Sequence, residues 1–90
     1  MGTAAVKIRL MPTSPEINLE EIKKESKEIV ENSGGKNCQI EEEPIAFGLK
    51  AIILFFAWDE SEELEKLEDS LGKIENVNSV QIIDMRRAFG

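Results

Sequence analysis

The sequence contains no histidine and a single cysteine, and these two shortages exclude several kinds of active site. Without histidine there is no imidazole for general acid–base catalysis or for metal coordination. One cysteine cannot form an internal disulfide or a paired-cysteine site, and such usage is typical of a reducing compartment. Cys38 has no evident base nearby in the sequence, so we interpret it as a small core residue and not as a nucleophile.

Positive charge and long apolar runs are also scarce. The chain has 11 Lys and Arg against 18 Asp and Glu, which gives a formal net charge of -7. This balance disfavours the phosphate backbone of nucleic acid as the main partner, because that role requires a basic surface. The longest apolar run, Ala51–Trp58, has eight residues, far fewer than the ~20 of a membrane-spanning helix. With no visible targeting segment, we expect a cytoplasmic protein without membrane or direct nucleic-acid partners and without a cofactor.

The length of 90 residues predicts one domain that covers residues 1–90. Residues 3–11 alternate between apolar and polar side chains, which predicts a half-buried strand. Asn18 is a typical helix N-cap, and an apolar stripe at helical spacing follows it up to the glycines at positions 34 and 35. We therefore predict a helix over 18–32. Further patterns predict strands over 37–42, 47–58 and 79–85 and a second helix over 61–72.

The predicted order is strand, helix, strand, strand, helix, strand. In the α+β class, this order is typical of the ferredoxin-like α/β sandwich. That fold places two helices on one face of a four-stranded antiparallel sheet. We expect the two helices to cover the sheet through an apolar stripe on each.

Two short segments stand out from this regular pattern. Pro44 and Gly48 bracket a loop whose one aromatic residue is Phe47, which either starts the third strand under a helix end or anchors a partner. Arg86 and Arg87 are the only adjacent arginines. They form either a solubilising strand end or a pair of guanidinium groups that contact a carboxylate or phosphate. The acidic run at 41–43 is interpreted as a solvated strand end, because neighbouring strand residues point to opposite faces.

Three blocks of this sequence together resemble the archaeal elongation factor 1-beta family. The blocks are 6–12 (VKIRLMP, followed by Ser14 and Pro15), 42–51 (EEPIAFGLKA) and 82–87 (IIDMRR). The ten-residue block at 42–51 is the most specific, and the resemblance extends over essentially the whole chain. It implies the ferredoxin-like fold that the periodicity also predicts.

The resemblance also implies an activity and a set of site residues. Members of this family are guanine nucleotide exchange factors for elongation factor 1-alpha, a nucleotide-binding GTPase, and they carry out no covalent chemistry. By matching positions, Phe47 would dock in a pocket of the GTPase, with Gly48 and Lys50 beside it. Arg87, with Arg86 next to it, lies nearest to the basic residue that reaches the magnesium site in eukaryotic relatives, where that residue is lysine.

Two other functions are compatible with the predicted fold. Acylphosphatase-like enzymes need an arginine in the loop after the first strand, and residues 11–15 contain none. A ligand-sensing or dimerising regulatory module would use an apolar sheet face such as Ile53 and Phe55. The oligomeric state would separate that module from an exchange factor, which can act as a monomer.

Overall fold

The structure, a computed structural model, describes residues 2–89, and the side chains of residues 2–86. The element order confirms the predicted succession of strands and helices. The elements are β1 (Thr3–Pro12), α1 (Leu19–Asn32), β2 (Lys36–Pro44), β3 (Lys50–Asp59), α2 (Leu64–Gly72) and β4 (Val77–Phe89).

The strands form one four-stranded antiparallel sheet in the order β2-β3-β1-β4. The two central strands are aligned so that Ile8 lies opposite Leu54. Alternate β1 residues therefore point to the same side as alternate β3 residues, and both helices pack against that side. This arrangement confirms the ferredoxin-like α/β sandwich.

The hydrophobic core lies between the helices and this face of the sheet. Its centre is almost completely shielded from solvent, because the two central strands and both helices each contribute an apolar stripe. The buried stripes are Ala4, Val6, Ile8 and Leu10 of β1; Ile52, Leu54, Phe56 and Trp58 of β3; and Ile22, Val30, Leu67 and Leu71 of the helices. Ser26 is the one buried polar side chain among them, and its hydroxyl donates to the Lys23 carbonyl oxygen at 3.0 Å.

Several element boundaries differ from the sequence-based prediction. The strand predicted over 47–58 begins at Lys50, because the preceding residues form a hairpin loop. The second helix begins at Leu64 and not at 61, since the Asp59 carboxylate accepts bonds from the Ser61 amide and hydroxyl at 2.9 and 2.8 Å in a separate turn. The last strand is longer than predicted, because its pairing with β1 continues as far as Thr3.

The turn between α1 and β2 depends on glycine at two positions. Gly34 has a φ of +106°, in the left-handed region that side chains disfavour. Gly35 is buried, and its amide donates to the Val30 carbonyl oxygen at 2.8 Å. A Cβ atom at Gly35 would lie 2.4 Å from Val30 Cγ1 and 3.2 Å from Phe56 Cδ2. The absence of a side chain therefore lets β2 leave the helix end directly against the core.

We expect Gly35→Ala to lower the free energy of unfolding by about 1–3 kcal/mol, because the added methyl group overpacks the core. Gly72→Ala is the matched control, since its Cβ would meet only Val80 Cγ2 at 3.9 Å. Alanine at this helical position should leave the free energy of unfolding unchanged or raise it by about 0.5–1 kcal/mol. Urea denaturation of the two variants measures both effects, and equal losses of stability would contradict the close-approach argument.

Candidate functional site

The connection between β2 and β3 is a short, hydrogen-bonded hairpin loop of residues 45–49. The Ile45 amide donates to the Leu49 carbonyl oxygen at 2.8 Å, and the Leu49 amide donates to the Ala46 carbonyl oxygen at 3.0 Å. Phe47 and Gly48 are thus the two central residues of a β-turn. The backbone bonds give the loop a defined conformation at its tip.

Both central residues of this turn have positive φ, +56° for Phe47 and +80° for Gly48. Two consecutive positive φ values are the pattern of a type I′ turn, which favours Asn, Asp or Gly at the first position. A bulky L-residue there is disfavoured by about 1–2 kcal/mol. The turn geometry therefore does not select phenylalanine, and a functional reason for its presence is the natural hypothesis.

Phe47 projects from the tip and is 95% exposed to solvent. The interpretation in which Phe47 starts the third strand and packs under a helix is therefore wrong. Ile45, on the same loop, is also exposed, so the tip presents an apolar patch on an otherwise acidic molecule. Exposed aromatic side chains on rigid loops are typical anchors of protein interfaces.

A polar groove of about 470 Å³ runs beside the hairpin loop, between it and the β1–α1 connection. The two segments approach closely at Gly48, where a Cβ atom would lie 3.7 Å from Pro15 Cβ. Glu42 and Lys50, on the two strands that lead into the loop, line the groove together with Asn18 at the start of α1. Gly48 thus favours the turn through its positive φ, whereas a Cβ atom would still fit beside Pro15. Lys50 begins the strand that follows the loop.

Glu42 is the centre of an ion-pair network, defined here as Glu20, Lys23, Glu42 and Lys50. The Lys23 ammonium group contacts the Glu42 carboxylate and lies 3.6 Å from Glu20 Oε1. The Lys50 ammonium group lies 3.9 Å from the other oxygen of Glu42. The hydrogen bond from Lys23 lowers the pKa of Glu42, and the same bond raises the pKa of Lys23. The network connects α1 to both strands at the base of the hairpin loop.

The sequence reasoning missed this network, because it treated the acidic run at 41–43 as uniformly solvated. The alternation of side chains along β2 could have indicated the position of Glu42. Glu42 has the parity of the inward residues Cys38 and Ile40, and in the sheet it lies opposite Ile52 on the helix side. Glu41 and Glu43 point to the other face, as the alternation predicts.

The carboxyl-terminal arginine pair, Arg86 and Arg87, lies near the end of β4. Arg86 is largely exposed, and its Nε atom is 3.2 Å from a carboxylate oxygen of Asp84 on the same strand. The backbone of Arg87 pairs with Ala4, and its side chain lies outside the described residues. Arg86 therefore already has a carboxylate partner, although this contact is exposed to water.

The structure brings Phe47, Gly48 and Lys50 together but places the arginine pair at the opposite end of the sheet. Ala4 lies opposite both Trp58 of β3 and Arg87 of β4. The arginine pair is thus level with the end of β3, whereas the hairpin loop precedes its start at Lys50. Eight residue steps along β3 correspond to roughly 26 Å. The candidate site therefore consists of two contact regions at the two ends of a molecule that is 42 Å long.

Two further features concern the described part of the chain. Within residues 2–89, neither helix is long and apolar enough to cross a membrane. The same residues include no group of three or more acidic or cysteine side chains that could hold a metal ion.

Comparisons with known proteins match one family over nearly the whole chain. Residues 5–88 match the family model described as the EF-1 guanine nucleotide exchange domain. The chain is 40% identical over 88 residues to elongation factor 1-beta of Methanothermobacter thermautotrophicus, covering 97% of this chain and 98% of that protein. It is 38% identical over 89 residues to elongation factor 1-beta of Methanocaldococcus jannaschii, covering 98% of this chain and 100% of that protein.

Among solved structures, the ACT domain from the GTP pyrophosphokinase of Chlorobium tepidum has a similar fold. The TM-score is 0.61, and the match covers 88% of this chain and 96% of that chain. The sequence identity is 18%. At that identity the likeness supports the ferredoxin-like fold and carries nothing about activity.

The Lys23–Glu42 pair predicts a specific response to pH. Because the folded pKa of Glu42 is lowered, the stabilisation from its charge is complete above the pKa of an unfolded glutamate. This stabilisation is lost as the pH falls through the pKa of Glu42 in the folded protein. We expect the Glu42 carboxyl to titrate below an ordinary glutamate in a side-chain NMR titration, and Lys23→Met should move that midpoint upward. Lys24→Met is the matched control, and an unchanged midpoint in Lys23→Met would contradict the assignment.

Proposed function

Because the chain belongs to the family of EF-1 guanine nucleotide exchange domains, we propose that it promotes the exchange of GDP for GTP on elongation factor 1-alpha. The family places the chain in translation elongation, for which a cytoplasmic location is expected. Exchange of a bound nucleotide forms and breaks no covalent bond. The absence of histidine from the sequence is therefore no obstacle to this function.

The hairpin loop supplies the main docking contact, with Phe47 as its anchor. The observation that carries this proposal is an almost fully exposed phenylalanine held at positive φ, in a turn that would otherwise favour asparagine. Burying such a ring in a partner's pocket removes a large apolar area from water. Gly48 contributes by forming the turn, and Lys50 contributes a cation at the base of the loop.

The arginine pair acts on the nucleotide site of the GTPase. A GTPase holds its nucleotide through Mg²⁺ and backbone contacts to the phosphates, so a cation placed beside that site competes with the metal. Arg86 must leave Asp84 to do so, but an exposed ion pair of this kind contributes only about 0–1 kcal/mol. By thermodynamic linkage, a protein that weakens the binding of nucleotide to the GTPase is itself bound more weakly by the GTPase when the nucleotide is present.

The distance between the two regions explains how docking and nucleotide release are coupled. The loop and the arginine pair are separated by roughly 26 Å along the strand direction, and the strands between them are paired in one sheet. Once Phe47 is docked, the arginine pair is held near one position on the GTPase, so its effective concentration there is high. The binding energy of the hairpin loop at one end of the sheet thus favours insertion of the arginine pair into the nucleotide site at the other end.

The docking role of Phe47 predicts opposite effects on affinity and stability. Phe47→Asn should weaken binding to GDP-bound elongation factor 1-alpha about thirtyfold, as expected for the loss of an anchor. The same change should raise the free energy of unfolding by about 1 kcal/mol, because asparagine tolerates positive φ. Titration calorimetry and urea denaturation measure the two quantities. A large loss of stability would instead indicate that Phe47 packs within its own fold.

The role of the arginine pair predicts that exchange can be separated from docking. The double variant Arg86→Ala/Arg87→Ala should bind the GTPase with similar affinity, because each of the two charges at the edge of the contact contributes modestly. Its stimulated release of a fluorescent GDP analogue should fall much further. Raised Mg²⁺ should slow release by the wild type, whereas the double variant should have little stimulation left to suppress.

Arg87→Lys serves as the conservative control for this experiment. A lysine supplies the charge but not the planar guanidinium, so part of the stimulated release should be retained. If the double variant released GDP as fast as the wild type, the arginine pair would be a solvated strand end and the action would have to originate at the hairpin loop.

A further inference from the structure

We propose that Lys23 and Glu42 are positioning residues for the hairpin loop: their ion pair joins α1 to the base of the loop and thereby holds Phe47 in its docking orientation. This inference rests on the proposed docking role of Phe47. It assigns a function to two residues that do not belong to the exposed tip.

The position of Glu42 allows one carboxylate to connect three elements. Glu42 lies on β2, two residues before the strand ends at Pro44, and its backbone pairs with Ile52 of β3. One of its oxygens contacts the Lys23 ammonium group of α1. The other lies 3.9 Å from the ammonium group of Lys50, the first residue of β3. The helix and both strands at the base of the loop therefore meet at this group.

The helical side of the pair is firmly held. Ile22 and Ser26, on either side of Lys23 in α1, are buried in the core, and Ser26 bonds to the Lys23 carbonyl oxygen. The side chains of Lys23 and Glu42 are 21% and 33% exposed, so their contact is partly shielded from water. Partial shielding strengthens an ion pair relative to one at the open surface.

The hairpin loop itself has little packing that could fix its direction. Residues 43–48 are all exposed, and a Cβ atom added at Gly48 would only just reach van der Waals range of Pro15. The pairing of β2 with β3 continues to Pro44 and Lys50 and fixes the turn relative to these two strands, but it does not fix the angle between the strand ends and α1. An ion pair at the base can define that angle, because a small rotation of the two strands there moves the tip through a larger distance.

Loss of the pair should therefore weaken docking without removing any contact made by Phe47. A loop that samples several orientations must be ordered when it binds, and this ordering reduces affinity. Affinity would also fall if Glu42 contacted the partner directly, or if its replacement destabilised the whole fold. Both of these effects act independently of Phe47, whereas positioning acts through it.

A double-mutant cycle between Glu42 and Phe47 separates positioning from direct contact and from destabilisation. Affinity for GDP-bound elongation factor 1-alpha is measured for the wild type, Glu42→Gln, Phe47→Ala and the double variant. We expect Glu42→Gln to weaken binding about fivefold when Phe47 is present, and less than about 1.5-fold when it is replaced. Glu41→Gln is the matched control, because it makes the same charge change on the opposite face of β2 and should have an effect below about 1.5-fold.

A second measurement uses the free protein and is independent of any partner. Amide hydrogen exchange of Ile45 and Leu49, whose amides donate the two hydrogen bonds inside the loop, should become several-fold faster in Glu42→Gln, because the loop opens more often. Lys23→Met should reproduce this change and the loss of affinity, whereas Lys24→Met should not. Exchange of the core amides of β1 and β3 should stay unchanged, which distinguishes local loosening from global destabilisation.

Three results would overturn the inference. They are an equal loss of affinity from Glu42→Gln in both Phe47 backgrounds, faster exchange throughout the core in Glu42→Gln, and unchanged loop exchange together with unchanged affinity. If Phe47→Ala itself bound the GTPase like the wild type, the proposed docking role would fail. The loop exchange rates would then still decide whether the ion pair positions the loop.

Discussion

The antiparallel pairing of β1 with β3 is the constraint on which the rest of the molecule depends. Its register places the buried stripe of each central strand on one face, where both helices can cover it. The number of paired residues also sets the separation between the hairpin loop at one end of the sheet and the arginine pair at the other. A shift of one residue would turn the buried stripe of one of the two strands outward, with either Ile8 or Leu54 in it, and expose part of the core. The same pairing that stabilises the fold therefore fixes the distance between the hairpin loop and the arginine pair.

The hairpin loop shows where local preference and function diverge. Most of the chain follows local rules: Asn18 accepts a bond from the Glu20 amide at the start of α1, and glycine occupies the left-handed position after its end. Phe47 breaks them, because a type I′ turn favours a small polar residue there. Sequences that are otherwise consistent across levels tend to break a rule at functional sites. The exposure of the Phe47 side chain and its unfavourable backbone conformation are independent properties, and both favour a functional role for this residue.

The sequence alone was sufficient for the element order and the core, because β1 and the two helices carry clear apolar periodicities. It was insufficient for the start of β3. Phe47 and Leu49 extend the apolar run of that strand toward the loop, so only Gly48 marked the turn. The arginine pair was visible as a charge pattern, but its contact with Asp84 depends on the side-chain direction in β4. The Lys23–Glu42 pair joins residues 19 positions apart, and a contact between a helix and a strand cannot be read from the periodicity of either.

The division of the molecule into two contact regions has a consequence for how exchange activity can vary. Contacts that are made equally before and during nucleotide release set the affinity, whereas contacts made only as the nucleotide leaves set the rate. In the proposed function the hairpin loop belongs to the first class and the arginine pair to the second. The sheet between them is continuous, with β4 paired to β1 along most of its length, so in the proposed function the position of the docked sheet determines where the arginine pair lies. The acidic body adds a long-range field that attracts basic surfaces without specifying where they bind, so the precision of docking has to come from the orientation of the loop.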